Sequence, residues 1–172
     1  MTVSHQDDNK PWKTDLARKA NERREHVTRE LEDVIAKAPS FEEALRQAVE
    51  LMKKRFERYS AVTAYVADGE DLAVHIALER PQGPERVGSR GGPLADAAQG
   101  TNPTVVGDLA SSTTWGSVGL ATGSAMVAPI RTEAGLWAIL EVWSDFRDAF
   151  SAPDSRLLGR VAQALAKKTP TA

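Results

Sequence analysis

The 172-residue chain carries 22 basic and 24 acidic side chains and 41% hydrophobic residues, which makes one globular domain with an added arm and no basic excess for nucleic acid. Cysteine is absent, and that excludes disulfides, thiolate nucleophiles, cysteine zinc sites, iron–sulfur clusters and thioether-linked chromophores. With three histidines, His5, His26 and His75, a multi-histidine metal site is not expected.

Residues 1–11 are polar and read as a loose tail. The opening MTVSHQDDNKPWK has no apolar core of the kind a secretory signal needs. No stretch of about 18 apolar residues follows to span a membrane, so the predicted location is the cytoplasm. Residues 12–38 contain neither Gly nor Pro and are dense in charge. Acid-before-base pairs four residues apart (Asp15/Lys19, Glu25/Arg29, Asp33/Lys37) each support a helix by roughly 0.2–0.5 kcal/mol. Ala17, Ala20, Val27, Leu31, Val34 and Ala38 step by threes and fours in a weak heptad seam that Arg24 interrupts. So thin a stripe does not sustain a lone helix. It has to pack against a second copy or against the domain that follows.

Pro39 breaks that helix, and Ser40 with Glu43 reads as a capping box for a second one over residues 41–58. Its buried face is Phe41, Leu45, Ala48, Val49, Met52 and Phe56. From Ser60 the period changes to two. SAVTAYVA is a strand, Asp68-Gly69 a hairpin turn, and DLAVHIALE its antiparallel partner. Alternation puts Leu72, Val74, Ile76 and Leu78 on one face of that partner, and Ala73, His75, Ala77 and Glu79 on the other. Residues 81–92 form a Gly- and Pro-rich loop around a short strand at 85–87. PLADAAQG is a short helix and TVVGDL a short strand. Residues 108–123 are a long irregular connection, of the kind often used for binding. SAMVAPIRTEAGLWAILEVWSD is a hairpin turning at Glu133, Ala134 and Gly135. Ser151 caps the last helix, Pro153 sits in its first turn, and Leu157, Leu158, Val161, Ala162 and Leu165 are its apolar stripe.

The order is helix, two strands, irregular middle, two strands, helix. It predicts an α/β protein of the α+β kind, an antiparallel sheet with the long helices on one face. Residues 40–168 resemble the GAF domain family, with 1–11 and 169–172 as tails and 12–39 as a dimerisation or signalling helix. The resemblance rests on the order of FEEALRQAVELMKKRF, SAVTAYVADGEDLAVHIA, NPTVVGD, GSAMVAPI, GLWAILEV and AFSAPDSRLL. The last of these separates it from a PAS-like rival.

The resemblance implies a small-molecule sensor or dimerisation module attached to, or acting on, a signalling protein such as a kinase or transcription regulator. With only KKTPTA after the domain, the chain is expected to be a stand-alone sensor or a piece of something larger. Bilin-binding and methionine-sulfoxide-reducing relatives use Cys, which this chain lacks, because the thiolate is the nucleophile. Cyclic-nucleotide-binding relatives carry an Asn-Lys pair in the domain, whereas here Asn9-Lys10 lies in the tail. Haem needs an axial ligand, and His75 is the one domain histidine. No Ser/His/Asp set can be placed. The Gly88/Gly91/Gly92 loop lacks the Lys-Ser/Thr of a P-loop. The chain is therefore not expected to be an enzyme, and no cofactor is identifiable.

A pocket for an unknown small molecule follows from strand parity. Facing Val62, Ala64 and Val66 toward the helices leaves Thr63 and Tyr65 on the far side, with His75 from the second strand and Ile139, Glu141 and Trp143 from the last. Asp108 and Trp115 from the long connection, Ser124 and Met126 from the next strand, and Arg90 before the short helix would close it. The site expected is thus Thr63, Tyr65, His75, Arg90, Asp108, Trp115, Ser124, Met126 and Glu141. Two readings remain. One is a sensor that passes ligand occupancy to a separate partner as a homodimer through residues 12–38, 41–58 and 154–168. The other is a ligand-free adapter of a signalling system. Neither nucleic acid nor membrane is expected as a partner.

Overall fold

Ala38 precedes a proline, and the helical conformation is disfavoured at such a residue. Helix α1 (Pro11–Lys37) accordingly stops there and α2 (Phe41–Arg55) begins two residues past the proline. The structure, a computed structural model, describes residues 11–79, 85–88, 93–111 and 122–170. Ser40 is extended and its Oγ accepts the Glu43 N–H at 3.1 Å. The Glu43 carboxylate turns instead to Arg46 and Gln47, so only half of the expected reciprocal cap forms. Helix α2 ends at Arg55 rather than 58 because Phe56 adopts an extended conformation while its N–H still bonds the Met52 carbonyl.

The strands are β1 (Ala61–Asp68), β2 (Asp71–Leu78), β3 (Arg86–Gly88), β4 (Thr104–Val106), β5 (Ser124–Thr132) and β6 (Gly135–Ser144), with helices α3 (Pro93–Gln99) and α4 (Ala152–Ala166). They form one sheet in the order β3-β2-β1-β6-β5-β4, and every neighbouring pair is antiparallel. The two edge strands have three residues each, which leaves little open ladder for another chain to pair with.

Helices α1, α2 and α4 cover one face. Val27, Leu31 and Ile35 of α1, Leu45 and Met52 of α2, and Leu158 and Leu165 of α4 close over Val62, Ala64, Met126, Ala128, Ile130, Leu140 and Val142. On the opposite face Leu94, Ala97 and Ala98 of α3 and Leu109 meet Tyr65, Leu72, Ala125, Val127 and Ile139. The predicted α+β architecture is therefore present. Among the described residues no helix is long and apolar enough to cross a membrane.

Of the predicted α1 stripe, Val27, Leu31 and Ala38 pack against the domain, one of the two partners expected, and Thr28 and Ile35 outside the stripe are buried as well, while Ala17 and Ala20 lie in the exposed stretch 11–23. The regular alternation drawn through β2 fails and needs correction. Ala64 faces Ile76 but Tyr65 faces Val74, so His75 is an extra residue, a β-bulge. One inserted residue exchanges the faces on either side of it. Ile76 packs on the helix side, whereas Leu72 and Val74 lie on the α3 side.

Candidate functional site

The α3 face is built on the two central strands. Thr63 of β1 and Glu141 of β6 are direct cross-strand partners, Val127 of β5 flanks Glu141 on the other side, and Tyr65 pairs with Ile139. Thr63, Tyr65 and Glu141 are almost fully buried, Glu141 at 4% exposure. A carboxylate at the middle of a sheet, among Val127, Ile139 and Trp143, is costly to desolvate by several kcal/mol unless hydrogen-bond donors meet it. Such a group is seldom kept for stability alone.

Helix α3 is tied down over this face. The Arg131 guanidinium donates to the Ala98 carbonyl at the helix end, and Leu94, Ala97 and Ala98 insert into the apolar cluster. At the rim, the Leu109 N–H bonds the Gly123 carbonyl at 2.9 Å and the Trp143 indole donates to the Thr122 carbonyl at 3.1 Å. Gly123 is required there. Its φ is +95°, and a Cβ would stand 2.0 Å from the Ser144 carbonyl oxygen.

The nine expected site residues divide three ways. Thr63, Tyr65 and Glu141 come together as predicted. Asp108 lies at the rim, where its Oδ1 accepts the Ala110 N–H at 3.1 Å and stands 3.4 Å from Arg147. Bonding with Ser111, then with the Ala110 N–H, and the Arg147 charge hold its carboxyl below the usual range. Arg90 and Trp115 lie outside the described residues.

The remaining three are placed elsewhere. His75, carried by the bulge, points toward α2, its Nε2 3.5 Å from a Glu42 carboxylate oxygen. Ser124 and Met126 lie on the helix side of β5, since Met126 pairs with Val142 and Ser124 with Ser144. Met126 is core. The Ser124 hydroxyl donates to the Phe146 carbonyl at 2.7 Å and accepts the Ala149 N–H at 3.2 Å, fixing the approach to α4. The expectation that Ser124 and Met126 close the pocket fails because the face of β5 depends on its register against β6. The β5 residues on the α3 side are Ala125 and Val127, one residue along. The His75 bulge in β2 separately brings Leu72 and Val74 to this face.

No family model matches the chain, and no curated protein matches its sequence. Solved structures do match. A protein described as a GAF sensor from Burkholderia vietnamiensis superposes with a TM-score of 0.77 at 19% identity, over 86% of this chain and 94% of that one. A free methionine-R-sulfoxide reductase from Neisseria meningitidis, in complex with its substrate, gives 0.76 at 21% identity, over 84% and 87%. The GAF domain of a phosphoenolpyruvate-protein phosphotransferase from Coxiella burnetii gives 0.68 at 16% identity, over 86% and 93%.

The fold is therefore GAF-like, as the sequence landmarks indicated. The expectation that the chain is not an enzyme is corrected by the same comparison. Reductases acting on free methionine sulfoxide are built on this fold, so the architecture is compatible with catalysis as well as with binding. Any chemistry this chain performs runs without a thiol, since it has no cysteine.

Proposed function

We propose that this chain is a GAF-type binding domain that holds a small molecule on the α3 face of its sheet. Glu141 receives an ammonium or N–H group of the ligand, and the Thr63 and Tyr65 hydroxyls orient it. The observation that carries this reading is the buried Glu141 carboxylate opposite Thr63, on central strands and beneath a short helix. Pockets of this kind pair an apolar wall with a few placed polar groups. Free amino acids and related amines are the ligand class that best suits a buried acceptor.

Signal output is proposed to pass through α1 in a homodimer to a separate partner such as a kinase or transcription regulator. Support comes from residues 11–23, which stand exposed and carry Trp12 and Leu16 at 56% and 58% exposure. The test of binding is a thermal-shift panel of free amino acids, methionine sulfoxide included, and of small amines. A ligand that raises the midpoint of the wild-type chain and not of Glu141→Gln supports the reading. A panel that shifts both proteins equally, or neither, opposes it.

A second reading, turnover of such a ligand, is favoured by the reductase that binds its substrate on the same fold. Product formation from any panel member that binds would establish it.

A further inference from the structure

On the helix side, away from the α3 face, a cavity of about 500 Å³ opens between α1, the end of α2 and the approach to β1. Phe56 and Tyr59 line it, their rings stacked at 4.5 Å, and Phe150 holds the Tyr59 ring edge-on at 5.8 Å. Five cationic side chains share the lining. Two are engaged: Arg24 pairs with Asp154 at 2.6 Å and Arg55 with Glu30 at 2.5 Å. Lys19, Arg23 and Arg58 have no ion-pair partner among the described residues. Arg23 is nevertheless held in place, since its guanidinium donates to the Arg55 carbonyl at 3.0 Å. Against these three cations, Glu57 is the lining carboxylate that no described arginine engages.

Tyr59 adds an independent observation. It is 2% exposed, and its hydroxyl has no hydrogen-bond partner among the described residues. Buried hydroxyls are almost always paired. This one lies close enough to Arg24 and Asp154 for both charges to act on it, and both residues line the same cavity. The cavity thus combines unneutralised cations and a fixed guanidinium, while the unpaired Tyr59 hydroxyl is sealed within its wall.

We propose that this cavity binds a small phosphate-bearing anion. Lys19, Arg23 and Arg58 neutralise the phosphate. Guanidinium groups suit this ligand because their N–H donors match phosphate oxygens in direction and spacing. The bound anion would bridge the exposed half of α1 to the end of α2. The site is separate from the α3 face and does not depend on the reading given for it.

The experiment is isothermal titration of the full chain with inorganic phosphate and with pyrophosphate, in a chloride buffer of constant ionic strength. Wild type is compared with the double variant Lys19→Gln/Arg58→Gln and with Tyr59→Phe, each shown to be folded by circular dichroism. Saturable pyrophosphate binding is expected in wild type, weakened about tenfold or more in the double variant, where two phosphate-neutralising charges are gone. Tyr59→Phe is expected to bind pyrophosphate as wild type does, with a melting midpoint without anion that stays the same or rises, because an unpaired buried hydroxyl has been removed. Absence of saturable binding to both anions at millimolar concentration would overturn the proposal. So would equal affinity in wild type and the double variant.

Discussion

Arg24 of α1 reaches Asp154 of α4, Nε to Oδ1, at 2.6 Å. The other oxygen of Asp154 accepts both the Ser151 N–H and the Ser151 hydroxyl at 2.7 Å. One nearly buried carboxylate therefore caps α4 and docks α1 on it. Asp154→Ala is expected to cost about 2–4 kcal/mol, because a cap is lost and a part-buried guanidinium loses its partner. Arg24→Ala should cost less, since Ser151 still serves the carboxylate. Urea denaturation of both single variants and the double should show a coupling of about 1 kcal/mol or more. Additive losses would mean the pair is incidental.

Acid should loosen the same helix pair. Arg160 of α4 bonds Glu25 and Glu32 of α1, and bonding to Arg160 holds the Glu25 carboxyl below its ordinary value. Arg55 lowers Glu30 and Arg46 lowers Glu43 in the same way. A carboxyl depressed in the folded state stabilises above its unfolded pKa, about 4.3, and that contribution is lost as pH falls through the folded value. Stability is thus expected to be flat from pH 7 to 5 and to fall below that. Arg160→Met should make the acid limb shallower. Urea midpoints at intervals down to pH 3 would check this, and parallel curves for the two proteins would refute it.

Two glycines separate backbone strain from crowding. Gly69, at φ +63°, has open space around it, so Gly69→Ala should cost only the left-handed penalty, about 1–2 kcal/mol. Gly123 adds a Cβ contact of 2.0 Å with the Ser144 carbonyl. Gly123→Ala should therefore cost about 3 kcal/mol or more and disturb the rim of the α3 face. Thermal denaturation of the two variants checks the order, and equal losses would contradict it.

Much of this fold is written locally in the sequence. Ser40, Ser151 and Asp154 mark helix starts, and Asp68-Gly69 and Glu133–Gly135 mark hairpins. Two-residue periodicity placed Thr63, Tyr65 and Glu141 on one face. What failed was non-local. Nothing in DLAVHIALE marks His75 as an inserted residue, because a bulge is a property of pairing with β1 and not of one strand. The face of β5 likewise depends on its register against β6. Arg24 interrupts the apolar stripe of α1, yet its partner, Asp154, lies 130 residues away on α4. The apolar period shows that a stripe needs a partner, and only the tertiary fold shows which.

The central claim is that Glu141 and its neighbours hold a small molecule on the α3 face. The most direct measurement is native mass spectrometry of the freshly purified full chain beside Glu141→Gln, each with a denatured control. The account predicts a reproducible added mass on the wild type that denaturation releases, absent or much reduced on Glu141→Gln. No added mass on either protein, or the same mass on both, would contradict it.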